Sequence, residues 1–249
     1  MFTREIKVLP SDSSCLGTIK LKNLLDYFQD TAGMAVDDIE GTATELSARG
    51  YSWVLTRYEI EFIGKLPLLD EKFSIRTAHD PSHGYNTLRI FDVQSEKGAT
   101  IAWAKTSWLL LDLAVGRPVK PAAHIPEILV RDTIEINSDF QDIPKIEEEN
   151  VVKSVEFPVR FHDLDYNSHV NNAVYFGWVH DESPVDLMNY EIKTVCASFR
   201  SGAKFGEKVK LNFSQLDSQK YVCEIFRENV KKPSANFLCY WQKKESEKI

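Results

Sequence analysis

The sequence predicts an α+β fold in which one unit, a long helix wrapped by a curved antiparallel sheet, occurs twice. Three observations carry this. Stretches of helix period and strand period follow the same order in both halves. Short segments also match: Asp70-Glu71-Lys72-Phe73-Ser74-Ile75 resembles Gly206-Glu207-Lys208-Val209-Lys210-Leu211, and Leu25-Asp26-Tyr27-Phe28 resembles Ala173-Val174-Tyr175-Phe176. Finally, the helical run Val170 to Val179 is apolar on more than one side, which suits a helix enclosed by other elements rather than laid on a surface. Together they read as an internal duplication, with Trp108 and Trp241 closing corresponding strands.

In the first half, Lys20 to Met34 is a helix with Leu21, Leu24, Leu25 and Phe28 on one face. A second helical piece covers Thr42 to Arg49 and ends at Gly50. Ser52 to Phe62 is a strand, because Tyr58, Ile60 and Phe62 alternate with Arg57, Glu59 and Glu61. Further strands are expected at Lys72–Thr77, Thr87–Gln94 and Thr100–Asp112, with Gly98 in the turn between the last two. The second half opens with a strand, Val151–Phe161, then a polar cluster, then the helix Val170–Asp181, which Pro184 ends. Strands follow near Lys193–Arg200, Glu207–Gln215, Lys220–Arg227 and Ala235–Gln242. The join is polar, carries Glu147-Glu148-Glu149 and contains Pro126 and Pro144. Residues 1–126, a linker 127–150 and residues 151–249 are therefore the expected domains.

The chain has 249 residues, is 43% hydrophobic and 27% charged, and carries a formal charge of −7. This is the composition of a soluble globular protein, and the charge argues against nucleic acid as a partner. Lys204, Lys208 and Lys210, and Lys231 with Lys232, read as solvated strand ends. Cys15, Cys196, Cys223 and Cys239 form no CxxC pair, so they suit thiols in a reducing cytoplasm rather than a zinc site or disulfide framework. The last three sit among apolar residues as small buried hydrophobes. The N-terminus is too acidic and broken for a targeting peptide, and no apolar run reaches the roughly 20 residues of a membrane span.

The chemistry concentrates in Arg160-Phe161-His162-Asp163-Leu164-Asp165-Tyr166-Asn167-Ser168-His169-Val170-Asn171-Asn172. Asp165, Asn167 and His169 occupy alternate positions, so in an extended segment they would point the same way. A helix starting just after them would aim unpaired N–H groups at the same spot. A base, an orienting group and an anion-stabilising dipole are what hydrolysis of an acyl bond requires. Asp, Asn and Ser also cap helices, but a cap has no need of the continuation Asn171-Asn172 and Tyr175-Phe176-Gly177-Trp178. His162-Asp163 and His180-Asp181 are too scattered to supply the about three ligands of a catalytic metal, so no metal and no cofactor are expected. His79, His83 and His124 are expected in surface loops.

On these residues the chain resembles the acyl-acyl-carrier-protein (acyl-ACP) thioesterases, bacterial relatives of the plant enzymes that release fatty acids from acyl carrier protein. The motif Asp163 to Asn172, then Tyr175 and Gly177-Trp178, is similar to that family's active-site motif. Trp53-Val54-Leu55-Thr56-Arg57, Ser107-Trp108 through Asp112, and Gly116-Arg117-Pro118-Val119 are similar to its N-terminal landmarks. The resemblance implies a tandem (double) hotdog fold whose first half shapes an acyl pocket and whose second half supplies Asp165, Asn167 and His169 as catalytic residues. It implies fatty acyl-acyl carrier protein as substrate, with no nucleic-acid or membrane partner; a homodimer of whole chains stays open. The family pattern places a glutamate where Gly202 stands, and plant members often have a cysteine where Ala203 stands. A cysteine nucleophile therefore finds no support here, and the nearest acid is Glu207. An acyl-CoA thioesterase and a non-catalytic acyl-binding protein are the alternative readings.

Overall fold

Alternate burial shapes the strands. Along β2 (Tyr51–Phe62), Tyr58, Ile60 and Phe62 are buried while Arg57, Glu59 and Glu61 are not, so one face packs on a core and the other meets polar surroundings. The computed structural model describes residues 1–37, 41–130 and 132–244. They fall into two units, Met1–Phe140 and Gln141–Ile249.

The first unit contains β1 (Phe2–Lys7), α1 (Leu21–Met34), α2 (Ala43–Ala48), β2, β3 (Lys72–His83), β4 (Asn86–Ser95), β5 (Thr100–Asp112) and the short β6 (Arg117–Val119). Its strands run in the spatial order β1-β3-β4-β5-β2, with β6 on β5, and every pairing is antiparallel. Helix α1 is held by both margins of this sheet. Phe28 stacks on Tyr58 of β2 at 6.5 Å and on Phe91 of β4 at 4.7 Å, and Arg4 of β1 lies over the Tyr27 ring at 5.2 Å. A sheet that reaches both sides of one helix must curve around it. Helix α2 begins on a capping box, with Thr42 and Glu45 satisfying each other's N–H groups.

The second unit contains β7 (Val151–Pro158), α3 (Asn172–Asp181), β8 (Tyr190–Phe199), β9 (Lys208–Gln215), β10 (Lys220–Arg227) and β11 (Ala235–Lys243). Its order is β7-β9-β10-β11-β8, again antiparallel throughout. That is the order of the first unit, strand for strand, so the expected α+β duplication of a helix wrapped by an antiparallel sheet is present. Helix α3 touches β7 through Phe157–Trp178 (5.2 Å), β8 through Tyr175–Phe199 (5.8 Å) and β11 through Phe176–Phe237 (5.0 Å). Trp108 lies in β5 and Trp241 in β11, strands of equivalent position.

Several expectations need correction. Strand β1 was not foreseen, because Phe2-Thr3-Arg4-Glu5-Ile6-Lys7 alternates in burial yet buries only Ile6 fully and carries Arg4 on the same face as Phe2 and Ile6, so the apolar alternation is broken. Helix α3 starts at Asn172 rather than Val170, since Val170 bridges Leu164 and gives its N–H to Ala203 O at 2.9 Å. Strand β3 runs on to His83, past the expected Thr77. His79 is thus no surface residue: it is 1% exposed, with Nε2 2.9 Å from Ile128 O. Burial and the nearby Arg89 push its pKa from 6.5 to about 4. The expected linker is packed along much of its length. His79 exchanges backbone bonds with Asp132 and Ile134, Ile136 N donates to Asp80 at 2.9 Å, and Ile143 and Ile146 cover Cys196, Val222 and Leu238.

Candidate functional site

The segment carrying Asp165, Asn167 and His169 is a tight turn, not an extended strand. Leu164 bridges Val170, Asp165 N donates to His169 O at 2.8 Å, and Ser168 N donates to Asp165 O at 3.0 Å. Ser168 sits at φ 60°, a conformation uncommon outside glycine that closes the turn. Alternate side chains therefore do not share a face here. Asp165 joins its partners through their backbones: its Oδ1 accepts the N–H of Asn167 at 2.8 Å and of His169 at 3.4 Å.

The His169 ring is oriented by Asn167 rather than by Asp165. Its Nδ1 lies 2.9 Å from the Asn167 carbonyl oxygen. A carbonyl only accepts, so the proton of the neutral ring sits on Nδ1, and the Nε2 lone pair has no hydrogen-bond partner among the described residues. The Asn167 carboxamide and the second Asp165 oxygen make no protein hydrogen bond among the described residues. At the start of α3, Asn171 caps the helix by accepting from Ala173 N at 2.8 Å. The Asn172 N–H makes no protein hydrogen bond among the described residues.

The ring also leans on Gly202. A Cβ built there would lie 2.9 Å from His169 Cδ2, 3.0 Å from its Cβ and 3.1 Å from its Cγ. The space that a side chain at position 202 would enter is thus filled by the histidine itself. The backbone cannot retreat easily: Ala203 N donates to the Tyr175 hydroxyl at 2.9 Å, and Ala203 O accepts from Val170 N at 2.9 Å. Tyr175 is buried in α3, and burial pushes its hydroxyl up to about 12, so it stays protonated. Its positioning part was not foreseen, although Tyr175 stands in the motif that carries the resemblance. Glu207 is no substitute acid. Arg227 grips it through two bonds of 2.9 and 2.8 Å and holds its carboxyl below the usual range.

The first unit contains the same loop without the chemistry. Ser14 N donates to Thr18 O at 2.8 Å, Gly17 N to Ser14 O at 3.0 Å, Leu16 N to Ser14 Oγ at 3.2 Å, and Lys20 N to Asp12 O at 2.8 Å. In the second unit Asn171 N likewise donates to Asp163 O at 2.9 Å. Ser13 bridges Ile19 as Leu164 bridges Val170, and Gly17 has φ 79° where Ser168 has 60°. Ser14, Leu16 and Thr18 thus stand where Asp165, Asn167 and His169 stand. The match extends to the next turn, where Val8 N donates to Glu71 O as Val159 N donates to Glu207 O. This supports the sequence pairing of Glu71 with Glu207. It corrects the helix pairing, since Leu25 corresponds to Phe176 rather than to Ala173; apolar residues recur each helical turn, so a match can slip by one turn.

The remaining candidates are dispersed. His180 Nδ1 lies 2.9 Å from Asp181 Oδ1 at the far end of α3, with its ring against Trp241, while His162 is exposed beside Phe161. Burial pushes the Cys223 and Cys239 thiols upward, away from the thiolate a nucleophile needs. Among the described residues, no helix is long and apolar enough to cross a membrane.

Comparison with known proteins gives matches along most of the chain. The family model of the acyl-ACP thioesterase N-terminal domain matches residues 1–129, and that of the C-terminal domain matches residues 146–243. Oleoyl-acyl carrier protein thioesterase 2 of Arabidopsis thaliana is 26% identical over 207 residues, 74% of this chain and 54% of the relative. The palmitoyl-acyl carrier protein thioesterase of the same plant is 26% identical over 178 residues, 68% of this chain and 42% of the relative. The chain spans about half the length of these curated relatives. Among solved structures, an acyl-ACP thioesterase from Bacteroides thetaiotaomicron superposes with a TM-score of 0.83 at 21% identity, covering 96% of this chain and 97% of that one. The 12:0-ACP thioesterase of Umbellularia californica superposes with 0.86 at 16% identity, covering 98% and 97%. These likenesses give the fold, a tandem hotdog.

Proposed function

This chain belongs to the acyl-ACP thioesterase family, and from that premise we propose that it hydrolyses the thioester of fatty acyl-acyl carrier protein, releasing free fatty acid and ending chain elongation. The observation that carries the proposal is the loop found in both units. Ser14, Leu16 and Thr18 build the turn in the first, so folding has no need of Asp165, Asn167 and His169 in the second. A half-buried carboxylate, amide and imidazole at positions where a plain turn suffices point to chemistry.

In this reading His169 Nε2 takes a proton from water, and the oxygen attacks the thioester carbonyl carbon. The tetrahedral intermediate collapses by breaking the C–S bond, and the imidazolium returns the proton to the departing thiolate. The Asn172 N–H, at the positive end of α3, would face the developing oxyanion; losing one such donor typically costs about 3 kcal/mol of barrier. The free Asn167 carboxamide, both donor and acceptor, would hold water against the substrate. Asp165 would fix the turn and favour the imidazolium. The first unit would shape the acyl pocket. Cysteines that form no disulfide among the described residues suit a reducing cytoplasm.

The test is free-thiol release from acyl-acyl carrier proteins of graded chain length, with the matching acyl-CoAs beside them. Turnover on the carrier-protein substrates is expected. Faster turnover on acyl-CoA would transfer the substrate assignment to the coenzyme, and tight acyl binding with no turnover would make the chain a binding protein.

A further inference from the structure

The inner face of the first unit's sheet carries polar side chains that packing does not require. Where β3 and β4 meet α1 the face is plain core, with Phe73 and Ile75 on one strand and Val93 and Phe91 on the other. Further along the same face stand Thr77 and His79 of β3, Arg89 and Thr87 of β4, and Thr106 of β5, all buried. The second unit fills the equivalent places differently. Phe73 pairs with Ser95 as Val209 pairs with Arg227. Counting along both ladders then sets Phe213 at the place of Thr77, Tyr221 at that of Arg89 and Cys239 at that of Thr106. The same sheet is thus built in the second unit with no cation on this face.

Arg89 is the extreme case. It is 6% exposed. Its guanidinium has five N–H donors, yet among the described residues it makes one hydrogen bond, to Thr77 Oγ1 at 3.1 Å, and no salt bridge. The Thr77 hydroxyl spends its own proton on Ile90 O at 2.7 Å. Asp132, the carboxylate that acts on Arg89, is held by the N-terminal amine at 2.7 Å. Asp80 lies on the opposite face, bound to Ser82 N, His83 and Ile136 N. Burial lowers the Arg89 pKa from 12.5 to about 10, so the group stays charged at neutral pH. Two more polar atoms on this face are orphaned. His79, opposite Arg89, bonds Ile128 O through Nε2 and leaves Nδ1 buried without a hydrogen bond, and the buried Thr87 Oγ1 makes none. Buried polar groups are nearly always satisfied, and a buried charge without its partner is strongly destabilising.

We propose that Arg89 is a specificity-determining residue that receives a carboxylate at the far end of the acyl chain, so that ω-carboxyacyl thioesters are favoured over methyl-ended ones. This rests on the reading that the first unit shapes the acyl pocket, and it names the substrate class that such a pocket takes. A carboxylate presents two oxygens to the planar guanidinium fork. A methyl end leaves the buried charge unpaired, and a site built to bond a polar group discriminates strongly against an analogue that lacks it.

The test is thiol release from acyl-pantetheines of graded chain length, each made with a methyl, an ω-hydroxyl and an ω-carboxylate end. At the length that reaches Arg89, kcat/KM for the ω-carboxylate should exceed that for the methyl end at least about tenfold. Arg89→Met should erase this ratio, and Arg89→Lys, which keeps the charge without the fork, should keep part of it. Replacing an unpaired buried charge with an apolar side chain should leave the melting temperature unchanged or raised. Equal losses on all three ends with a falling melting temperature would make Arg89 a structural pin and overturn the proposal. A methyl or ω-hydroxyl preference at every length, or an ω-carboxylate preference that survives Arg89→Met, would overturn it as well. Binding of the same thioesters to the His169→Ala chain, measured by calorimetry, reads the contact without turnover. Tighter binding of the ω-carboxylate that Arg89→Met abolishes supports the assignment even if no thioester is cleaved; equal binding of the three ends removes it.

Discussion

Replacing Gly202 with alanine puts one methyl group where the His169 ring now rests. The new Cβ would stand 2.9 to 3.1 Å from three atoms of that side chain, whereas ordinary contact begins at 3.4 Å. The ring must therefore retreat by about 0.5 Å or more, because Ala203 is tied on both sides, to Tyr175 and to Val170. Nε2 lies on the far side of the ring from the Cβ hinge, so its displacement approaches about 1 Å. A misplacement of that size costs about 10²-fold in rate, or about 2.7 kcal/mol of barrier. Gly202 does not hold a positive φ, so alanine is tolerated by the backbone and gains up to about 1 kcal/mol by restricting the unfolded chain. The melting temperature should move little while kcat collapses and KM holds. Steady-state thiol release with a thermal melt measures both, and Ser201→Ala serves as the neighbouring control. A Gly202→Ala chain with kcat within about twofold of the original would refute the argument that this glycine positions His169.

Other outcomes follow from the same geometry. Asp165→Asn keeps an acceptor for the two turn N–H groups, so stability should change by less than about 1 kcal/mol, while turnover falls at least about tenfold through loss of charge near the imidazolium; parallel losses in denaturant melts and kinetics would contradict this. Glu207→Gln should weaken the Arg227 clamp, costing about 1 kcal/mol in a urea melt with kcat within about threefold, and a dead enzyme would make Glu207 the missing acid. His79 has a folded pKa of about 4 against 6.5 when unfolded, so the unfolded chain binds more protons between those values. Stability is complete above pH 6.5 and falls by about 3 kcal/mol as pH drops toward 4. His79→Gln should flatten that slope in urea melts run across the window.

Much of this was legible in the sequence because it rests on periodicity. The alternation in β2 and the all-round apolar character of α3 predicted a wrapped helix, and the match of Glu71 with Glu207 marks one turn built twice. The local conformation of the site was not. Asp165, Asn167 and His169 alternate as strand residues do, yet the chain turns there, and only the turn-forming character of Asp, Asn and Ser hinted at it. The bond from His169 to the Asn167 carbonyl involves backbone, which a side-chain reading does not register. His79 was misjudged because the strand was expected to end at Thr77, whereas β3 continues to His83 through a bulge.

The central claim is that His169, tied at Nδ1 and with no partner at Nε2 among the described residues, activates water for thioester cleavage. The direct measurement is thiol release from palmitoyl carrier protein by the original chain and by His169→Ala, with fatty acid quantified in the same samples. The account predicts steady release of thiol and fatty acid in equal amounts by the original chain, and a loss of at least about 10²-fold in the variant. Equal rates from the two chains, or no release by either, would contradict it.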